Sequence, residues 1–325
     1  MPTIHSSHRF HSPFWLPEKH SQSIFPALFR EVELEGAQVE RIDLPDGDFV
    51  DVDWYVKGGI AKRPLLIISH GLEGNSRRHY VLGFAKKAIQ DGFNVLAWNY
   101  RSCSGEMNRS KRFYHSGASD DLNEMVQMAI SRGATAIYLA GFSLGGNLTL
   151  KWLGEKGKNP TDVIRKAVVF SVPLHLSSSS QTLAKLENWM YSNRFLNTLV
   201  EKVRKKVDQY PGLIPDEKLS EIKTLWDFDE IVTGPLHGFA GAEDYYHQSS
   251  SIFFLPHIRV PVLIVNAAND PFLSAQCFPK DLVDSLENVF LEIPKEGGHC
   301  GFYPNNYKEF LWSEIRGMNW LREEV

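Results

Sequence analysis

Short apolar runs alternate with amphipathic stretches along most of the chain, and this alternation is the clearest pattern in the sequence. The apolar runs are rich in aliphatic residues, which is typical of strands buried on both faces. They occupy residues 64–69, 93–98, 136–142 and 167–172. The stretches between them place apolar residues at helical spacing over residues 81–90, 120–131 and 144–155. The alternation predicts a mostly parallel sheet with helices on both faces.

A hairpin precedes this alternation. Residues 41–56 are two strand-like runs on either side of Pro45-Asp46-Gly47-Asp48. Asp-Gly between β-rich runs is a typical hairpin turn. We therefore expect two antiparallel N-terminal strands to join the sheet.

The alternation stops between residues 173 and 256, where the chain is polar and helical over 182–207 and then irregular. We interpret this part as an insertion between strands. The sheet pattern then resumes with a strand, a helix, a last strand and a closing helix at 260–266, 274–286, 289–293 and 305–321. The sequence predicts one domain over residues 1–325, with an N-terminal arm at 1–35 and a helical lid insertion at about 174–256.

The run at 136–142 ends in Gly141-Phe142-Ser143-Leu144-Gly145, and a helical stretch follows immediately. Chance produces this glycine–serine–glycine spacing in about one chain in ten of this length, so the spacing alone is weak evidence. The strand before it and the helix after it are what a strained strand-to-helix turn requires. Glycines at 141 and 145 allow strand and helix to cross closely. Ser143 is therefore a candidate nucleophile.

A serine nucleophile needs a histidine base and a carboxylate that orients the base. Asp270 follows the apolar strand at 260–266, and His299 lies in a glycine-rich loop after the last strand. Both positions lie at the carboxyl edge of the predicted sheet, where sites of this fold class form. Asp244 and Glu296 are alternative acids, but Asp244 has no apolar strand before it, and Glu296 is only three residues from the base. We predict Ser143, Asp270 and His299 as the catalytic residues.

The strand at 64–69 ends in His70-Gly71-Leu72, which predicts a second part of the site. Acyl transfer requires N–H donors for the oxyanion, and we expect the amides of Leu72 and Leu144 to supply them. His70 is expected to hydrogen-bond the loop rather than to react. The residues predicted to support these loops are His70, Gly71, Gly141 and Gly145.

Composition narrows the classes of protein that remain. The formal charge is −4 and the pI is about 6.3, so no global field favours nucleic acid. The chain has three cysteines, Cys103, Cys277 and Cys300, and no C-x-x-C pair, which suggests neither a disulfide framework nor a thiolate zinc site. The N-terminus lacks the pattern of a signal peptide. We expect a cytoplasmic protein without a metal or organic cofactor.

Several stretches resemble the YheT-like branch of the α/β-hydrolases, which is related to the plant EMB8 proteins and the ABHD1/ABHD3-type hydrolases. The resemblance spans almost the whole chain, and Ser102 and Met107 depart from the Gly and Pro expected in one loop. The stretches that carry it are residues 20–26, 46–49, 70–74, 99–106, 114–117, 141–147 and 298–302. It implies an α/β-hydrolase fold and a serine carboxylesterase or acylglycerol lipase that uses Ser143, Asp270 and His299.

The first interpretation of function is a hydrolase that cleaves small-molecule or lipid esters through an acyl-serine. Two alternatives stay open: a non-catalytic scaffold that binds a ligand or partner, and an acyltransferase or thioesterase with the same triad. The sequence does not define the oligomeric state. In the insertion, an amphipathic helix could cover the site as a lid or also contact anionic membranes. Its apolar positions are Leu196, Leu199, Val200, Val203 and Val207, and its basic ones are Lys202, Arg204, Lys205 and Lys206.

Overall fold

A computed structural model describes residues 3–4, 10–157 and 162–323. The strands in these ranges form one sheet in the order β1-β9-β8-β7-β6-β4-β5-β3-β2. The strands are β1 (Thr3–Ile4), β2 (Gln38–Asp43), β3 (Phe49–Tyr55), β4 (Leu65–Ser69), β5 (Asn94–Trp98), β6 (Ile137–Phe142), β7 (Ile164–Phe170), β8 (Val262–Val265) and β9 (Val289–Glu292). Strands β2 and β3 are antiparallel to each other, and β3 is antiparallel to β5. The remaining pairs are parallel, which confirms the predicted mostly parallel sheet.

Helices cover both faces of the sheet and fill the insertion. The α-helices are α1 (Lys19–Phe29), α2 (His79–Gln90), α3 (Ser119–Ser131), α4 (Leu144–Lys156), α5 (Leu176–Leu183), α6 (Trp189–Gln209), α7 (Asp216–Glu221), α8 (Leu225–Phe228), α9 (Gly234–His237), α10 (Ala242–Ser249), α11 (Lys280–Asp284) and α12 (Trp312–Arg322). A π-helical turn, Asp229–Thr233, connects α8 to α9. In the part of the chain that the structure describes, no helix is long and apolar enough to cross a membrane.

The alternation of side chains along each strand divides the core into two layers. On one face, β4 and β6 contribute Leu65 and Leu139, which pack with α3, α4 and α11. On the other face, their neighbours Leu66 and Ala140 pack with α2 and α12. Because both faces are covered, the central strands are apolar throughout, which is the pattern the sequence shows.

Two helices near the C-terminus differ from their predicted bounds. The helix predicted at 274–286 is a 3₁₀ turn, Ala275–Cys277, followed by the short α11. Pro279 separates them, because proline lacks an N–H and restricts the residue before it. The closing helix begins at Trp312 rather than at residue 305, since the Glu314 carboxylate accepts a hydrogen bond from the Leu311 N–H and caps the helix there.

The insertion is more helical than its sequence predicts. The single helix expected at 182–207 is two helices, α5 and α6, and the stretch expected to be irregular holds α7 to α10. These helices have an apolar core of their own, formed by residues such as Val203, Phe228 and Val232. Short helices with little periodicity depend on this packing rather than on local propensity, which is why the sequence pattern misses them.

The predicted N-terminal arm contains α1, although its sequence shows no clean helical period; its residues 1–2 and 5–9 lie outside the described residues. The helix is attached to the domain by Arg30, whose guanidinium donates to both carboxylate oxygens of Glu314 at 2.6 and 2.8 Å. Both side chains are buried. Removing one partner from such a pair leaves a buried charge, so this contact strongly constrains where α1 lies.

Candidate active site

Ser143 lies on the turn between β6 and α4, with a φ of 52° and a ψ of −119°. This conformation is strained for a residue with a side chain, and it projects the hydroxyl away from the sheet. The glycines on either side are required by close contacts. A Cβ on Gly141 would lie 2.5 Å from the Gly145 carbonyl oxygen, and a Cβ on Gly145 would lie 2.4 Å from the carbonyl oxygens of Ser69 and His70.

The structure brings Ser143, His299 and Asp270 into one hydrogen-bonded chain. His299 Nε2 lies 3.0 Å from Ser143 Oγ. On the other side of the ring, His299 Nδ1 lies 2.9 and 3.0 Å from the two oxygens of Asp270. The Asp270 side chain is fully buried, and one of its oxygens also accepts a hydrogen bond from the Phe272 N–H at 2.9 Å. With Nδ1 protonated toward the carboxylate, Nε2 is free to accept the serine proton.

Three residues that the sequence analysis did not identify hold His299 in place. Ser23 of α1 accepts a hydrogen bond from the His299 N–H at 2.8 Å. Ser171 accepts one from the Cys300 N–H, also at 2.8 Å. The ring of Phe272 lies against the imidazole, with 4.0 Å between ring centroids. The contact from Ser23 spans 276 positions in the chain, so no local pattern could reveal it.

The two amides predicted as oxyanion donors lie beside Ser143. Leu72 and Leu144 both line the cavity onto which Ser143 opens. Leu144 is the first residue of α4, so its N–H has no carbonyl partner within the helix. Within the described ranges, neither amide donates a hydrogen bond to the protein. Both amides therefore lack a protein partner, as donors to an oxyanion must.

His70 holds the loop that carries Leu72. Its Nδ1 lies 2.7 Å from the Gly71 carbonyl oxygen, and its Nε2 accepts a hydrogen bond from the Tyr100 N–H at 3.2 Å. The proton is therefore on Nδ1. Burial lowers the pKa of His70 to about 3, so the ring is neutral at physiological pH.

This burial makes stability depend on pH. The pKa of His70 is lower in the folded protein than its value of 6.5 in the unfolded chain. Its contribution to the free energy of unfolding is therefore complete above pH 6.5 and is lost as the pH falls toward about 3, because only the unfolded chain takes up the proton in that range. In His70→Gln, the amide can make both loop hydrogen bonds but does not titrate. We expect wild type to lose about 2 kcal/mol more unfolding free energy than His70→Gln between pH 7 and pH 5, measured by urea titration. The exposed His11→Gln serves as the control and should follow wild type; equal losses in wild type and His70→Gln would contradict this interpretation.

An ion pair connects the insertion to the same loop. Lys202 of α6 donates to Glu73 Oε1 at 2.7 Å, and the Tyr114 hydroxyl lies at the same distance from that oxygen. The Glu73 N–H donates to the Tyr114 hydroxyl at 2.9 Å. Glu73 follows Leu72 directly. The contacts among Glu73, Tyr114 and Lys202 therefore hold the loop that carries Leu72 against α6. The sequence analysis assigned Lys202 to a basic face and did not identify this contact.

Ser143 and His299 open onto a cavity of about 340 Å³ between the sheet edge and the insertion. Most of its wall is apolar, and its apolar residues include Ile24 and Leu28 of α1, Leu183 of α5, and Phe195 and Leu199 of α6. A largely apolar cavity with a few polar groups at the reacting centre is typical of a small-molecule site.

The alternative reactive groups lie in less suitable surroundings. Asp244 is half-buried on α10 and accepts hydrogen bonds from the Ala240 N–H and the Gln248 amide. Glu296 accepts one from the Ser12 N–H, and among the described residues it forms no hydrogen bond or ion pair with His299. Burial raises the pKa of the thiols of Cys103 and Cys300, which disfavours the reactive thiolate. Across the described ranges, no group of three or more His, Cys, Asp or Glu side chains is placed to hold a metal ion.

The sheet order, the strained serine turn and the histidine loop after the last strand define an α/β-hydrolase. Comparison with known proteins gives the same class. A model of the alpha/beta hydrolase fold matches residues 64–305. The chain therefore belongs to the α/β-hydrolase family.

Individual relatives place the chain within that family. It is 35% identical over 93% of its length to the Escherichia coli (strain K12) protein "Putative esterase YheT", of which it covers 89%. It is 27% identical to Bos taurus "Phospholipase ABHD3", with 90% of this chain and 73% of that protein covered. An esterase of Pyrococcus furiosus, Pf2001, has a similar fold, with a TM-score of 0.60, 14% identity and 98% of each chain covered. The first two relatives confirm the YheT-like branch and show a hydrolase of the esterase and lipase type, and the third shows the fold.

Proposed function

We propose that the protein hydrolyses carboxylic esters through an acyl-serine intermediate on Ser143. The observation that carries this proposal is the hydrogen-bonded chain from Asp270 through His299 to Ser143, which ends in an apolar cavity. Esterase and phospholipase names among the relatives support the reaction class.

The proposed reaction has two steps. As Ser143 Oγ attacks the ester carbonyl carbon, its proton moves to His299 Nε2, and the amides of Leu72 and Leu144 bind the oxyanion. The alcohol leaves with that proton, and the acyl group remains on Ser143. In the second step His299 takes a proton from water, which attacks the acyl-serine. The carboxylic acid is released as the bond to Ser143 Oγ breaks, and His299 returns the proton to that oxygen. Asp270 stays ionised and stabilises the imidazolium in both steps.

The cavity supports esters with short to medium acyl chains or monoacylglycerol-like lipids as substrates. A p-nitrophenyl ester series from acetate to palmitate, together with fluorophosphonate labelling, tests the proposal. We expect labelling and an activity maximum below palmitate, because the cavity volume limits the chain that it can hold. Labelling without ester turnover would indicate acyl transfer or thioester cleavage, and the absence of labelling would indicate a non-catalytic scaffold.

The predicted lid helix presents its apolar side to the protein. Its apolar positions, including Val203, pack into the core of the insertion. Two of its basic residues also point inward: Lys202 binds Glu73, and Lys206 donates to the carbonyl oxygens of Asn108 and Ser110. Of the four basic residues at 202–206, this leaves Arg204 and Lys205 exposed, which is a small surface for anionic lipid.

We propose instead that membrane contact occurs through exposed apolar residues on two segments that border the cavity, here called the mouth patch. It holds seven of the ten large apolar side chains that are exposed in the described ranges: Phe14, Trp15, Leu28, Phe29, Leu186, Trp189 and Met190. The two segments that form it are joined by the Lys19–Glu187 ion pair at 3.1 Å. Leu28 also lines the cavity, so the patch continues into the site. Such a surface fits a lipid interface from which an ester enters the cavity.

The double substitution Leu186→Ser and Trp189→Ser is expected to weaken co-sedimentation with phosphatidylcholine vesicles about tenfold or more, since each side chain loses its apolar transfer energy. The matched control is Val39→Ser with Ile315→Ser, two exposed apolar residues outside the patch. Equal binding by both double variants would contradict the proposal. So would loss of self-association instead of lipid binding, which would identify a second copy as the occupant.

We propose the cytoplasm as the compartment. The three cysteines are free thiols in the structure, which suits a reducing environment.

A further inference from the structure

A carboxylate lies in the wall of the cavity, and the proposed reaction does not use it. Asp229 belongs to the π-helical turn of the insertion and lines the same cavity as Ser143 and His299. Its Oδ2 accepts a hydrogen bond from the Tyr246 hydroxyl at 2.6 Å, and its Oδ1 accepts one from the Thr233 hydroxyl at 2.6 Å. Irregular π-helical turns of this kind are frequent at functional sites.

The polar surface continues beyond the carboxylate. The Tyr246 hydroxyl also lies 3.0 Å from Ser180 Oγ. Because a phenol has one proton, a Tyr246 hydroxyl that donates to Asp229 accepts from Ser180. Hydroxyl groups therefore reach the Asp229 carboxylate from both sides, Ser180 and Tyr246 on one and Thr233 on the other. All four residues line the cavity.

Asp229 is half-buried in the cavity wall and has no oppositely charged partner among the described residues. Among the residues that the structure describes, no lysine, arginine or histidine forms an ion pair with it. Burial raises the pKa of Asp229 to about 6, which reflects the penalty on its charge. The two hydroxyl donors fill only part of the acceptor capacity of a carboxylate, which has about four lone-pair sites. The remaining capacity is available to a ligand in the cavity.

The charges around the cavity favour a neutral donor over a cation. The other charged side chains that line the cavity are Glu73, Arg78 and Arg194, and Glu73 is already paired with Lys202. The two arginines therefore disfavour a cationic ligand. The rings beside the carboxylate pack against one another, with 5.1 Å between the centroids of Tyr245 and Tyr246 and 5.4 Å between those of Trp226 and Tyr246. A hydroxyl group is small and neutral, and its hydrogen bond to an ionised acceptor is strong.

We propose that Asp229 binds a free hydroxyl group of the substrate, so that esters carrying such a hydroxyl are preferred over those without one. This inference rests on the proposed ester hydrolysis and adds a specificity residue to the same site. Asp229 acts in binding and takes no part in the transfer of protons at Ser143.

The test compares 1-decanoylglycerol with methyl decanoate, which has the same acyl chain and no hydroxyl. We expect wild type to prefer the glycerol ester in kcat/KM by at least about tenfold, and Asp229→Asn to reduce that preference by about 10- to 100-fold, chiefly through KM. Asp244 does not line the cavity, so Asp244→Asn is the matched control and should keep the wild-type preference. The rate of fluorophosphonate labelling shows that each variant is folded.

If Asp229→Asn does not fold, inhibition of the wild-type protein tests the proposal instead. In wild type, 1,2-decanediol should inhibit p-nitrophenyl ester hydrolysis more strongly than 1-decanol, because it offers a second hydroxyl donor. Equal inhibition, together with equal turnover of the two decanoyl esters, would overturn the role of Asp229 while leaving ester hydrolysis intact. A loss in Asp229→Asn that is confined to decanoylcholine would also overturn it, since the group recognised would then be a cation. No turnover of any ester would remove the proposed function itself.

Discussion

Replacing Ser143 with alanine is expected to lower kcat for a p-nitrophenyl ester by roughly 10⁶-fold, the loss that removal of the nucleophile causes in a serine protease. The reason is that no acyl-enzyme can form without the hydroxyl that lies 3.0 Å from His299 Nε2. Steady-state kinetics on purified protein measures the loss. The melting temperature should not fall, because the strained backbone at Ser143 gains nothing from the hydroxyl.

Ser178→Ala is a matched control for this loss. Ser178 is half-buried in α5, and its hydroxyl bonds the His175 carbonyl oxygen at 3.1 Å and lies 2.7 Å from Ser274 Oγ. It does not line the cavity, so kcat should stay within the same order of magnitude as wild type. Full esterase activity in Ser143→Ala would refute the acyl-serine mechanism.

Asp270→Asn is expected to lower kcat by roughly 10³- to 10⁴-fold, by analogy with the same change in a serine protease. The amide preserves the size of the side chain but favours the wrong tautomer of His299, whose Nδ1 lies 2.9 Å from the carboxylate. It also removes the negative charge that stabilises the imidazolium. Steady-state kinetics with the same ester measures the loss.

The two alternative acids supply the controls for Asp270. Asp244→Asn and Glu296→Gln should each retain nearly normal turnover, because the contacts of both carboxylates are to groups other than His299. Collapse of activity in either control, with normal turnover in Asp270→Asn, would show that a different acid orients the base.

The sequence predicts the sheet and the proposed reacting residues because both leave local patterns. Strands β4, β6 and β7 are buried on both faces, so each appears as an apolar run in the sequence. Ser143 occupies a turn whose glycines are required by contacts within the turn and with the neighbouring strand end. Asp270 and His299 follow the last two strands, and the carboxyl ends of parallel strands meet at one edge.

The residues that hold the site in place leave no such pattern. Ser23 reaches His299 from a helix 276 positions earlier in the chain, and Lys202 reaches Glu73 from 129 positions later. In the sequence, a polar residue that binds a distant partner cannot be told from one that is exposed to solvent. Lys206 shows this most clearly, because it lies in a basic segment and yet is fully buried.

The insertion is the part of the fold that sequence patterns describe least well. Its helices after α6 are four to eight residues long, and helices of that length depend on tertiary contacts. Asp229 lies on the π-helical turn in this part, so its approach to Tyr246 could not be anticipated from spacing. Asp229, which we propose to select the substrate, is therefore a residue that the sequence analysis did not identify.

The contact between Lys202 and Glu73 has a consequence for the lid. The ion pair joins α6 to the residue after Leu72, so movement of α6 would disturb one of the proposed oxyanion donors. Both side chains are largely buried, which makes the pair less sensitive to salt than an exposed one. The insertion thus supports the geometry of the site as well as covering it.

Trapping the intermediate tests the central proposal most directly. The protein is mixed with a p-nitrophenyl ester, quenched in acid during turnover, digested and analysed by mass spectrometry. We expect one acyl group on the peptide that contains Ser143, in an amount that matches the burst of p-nitrophenol. An acyl group on Cys300 or another residue, or turnover without any acylated peptide, would contradict the acyl-serine mechanism.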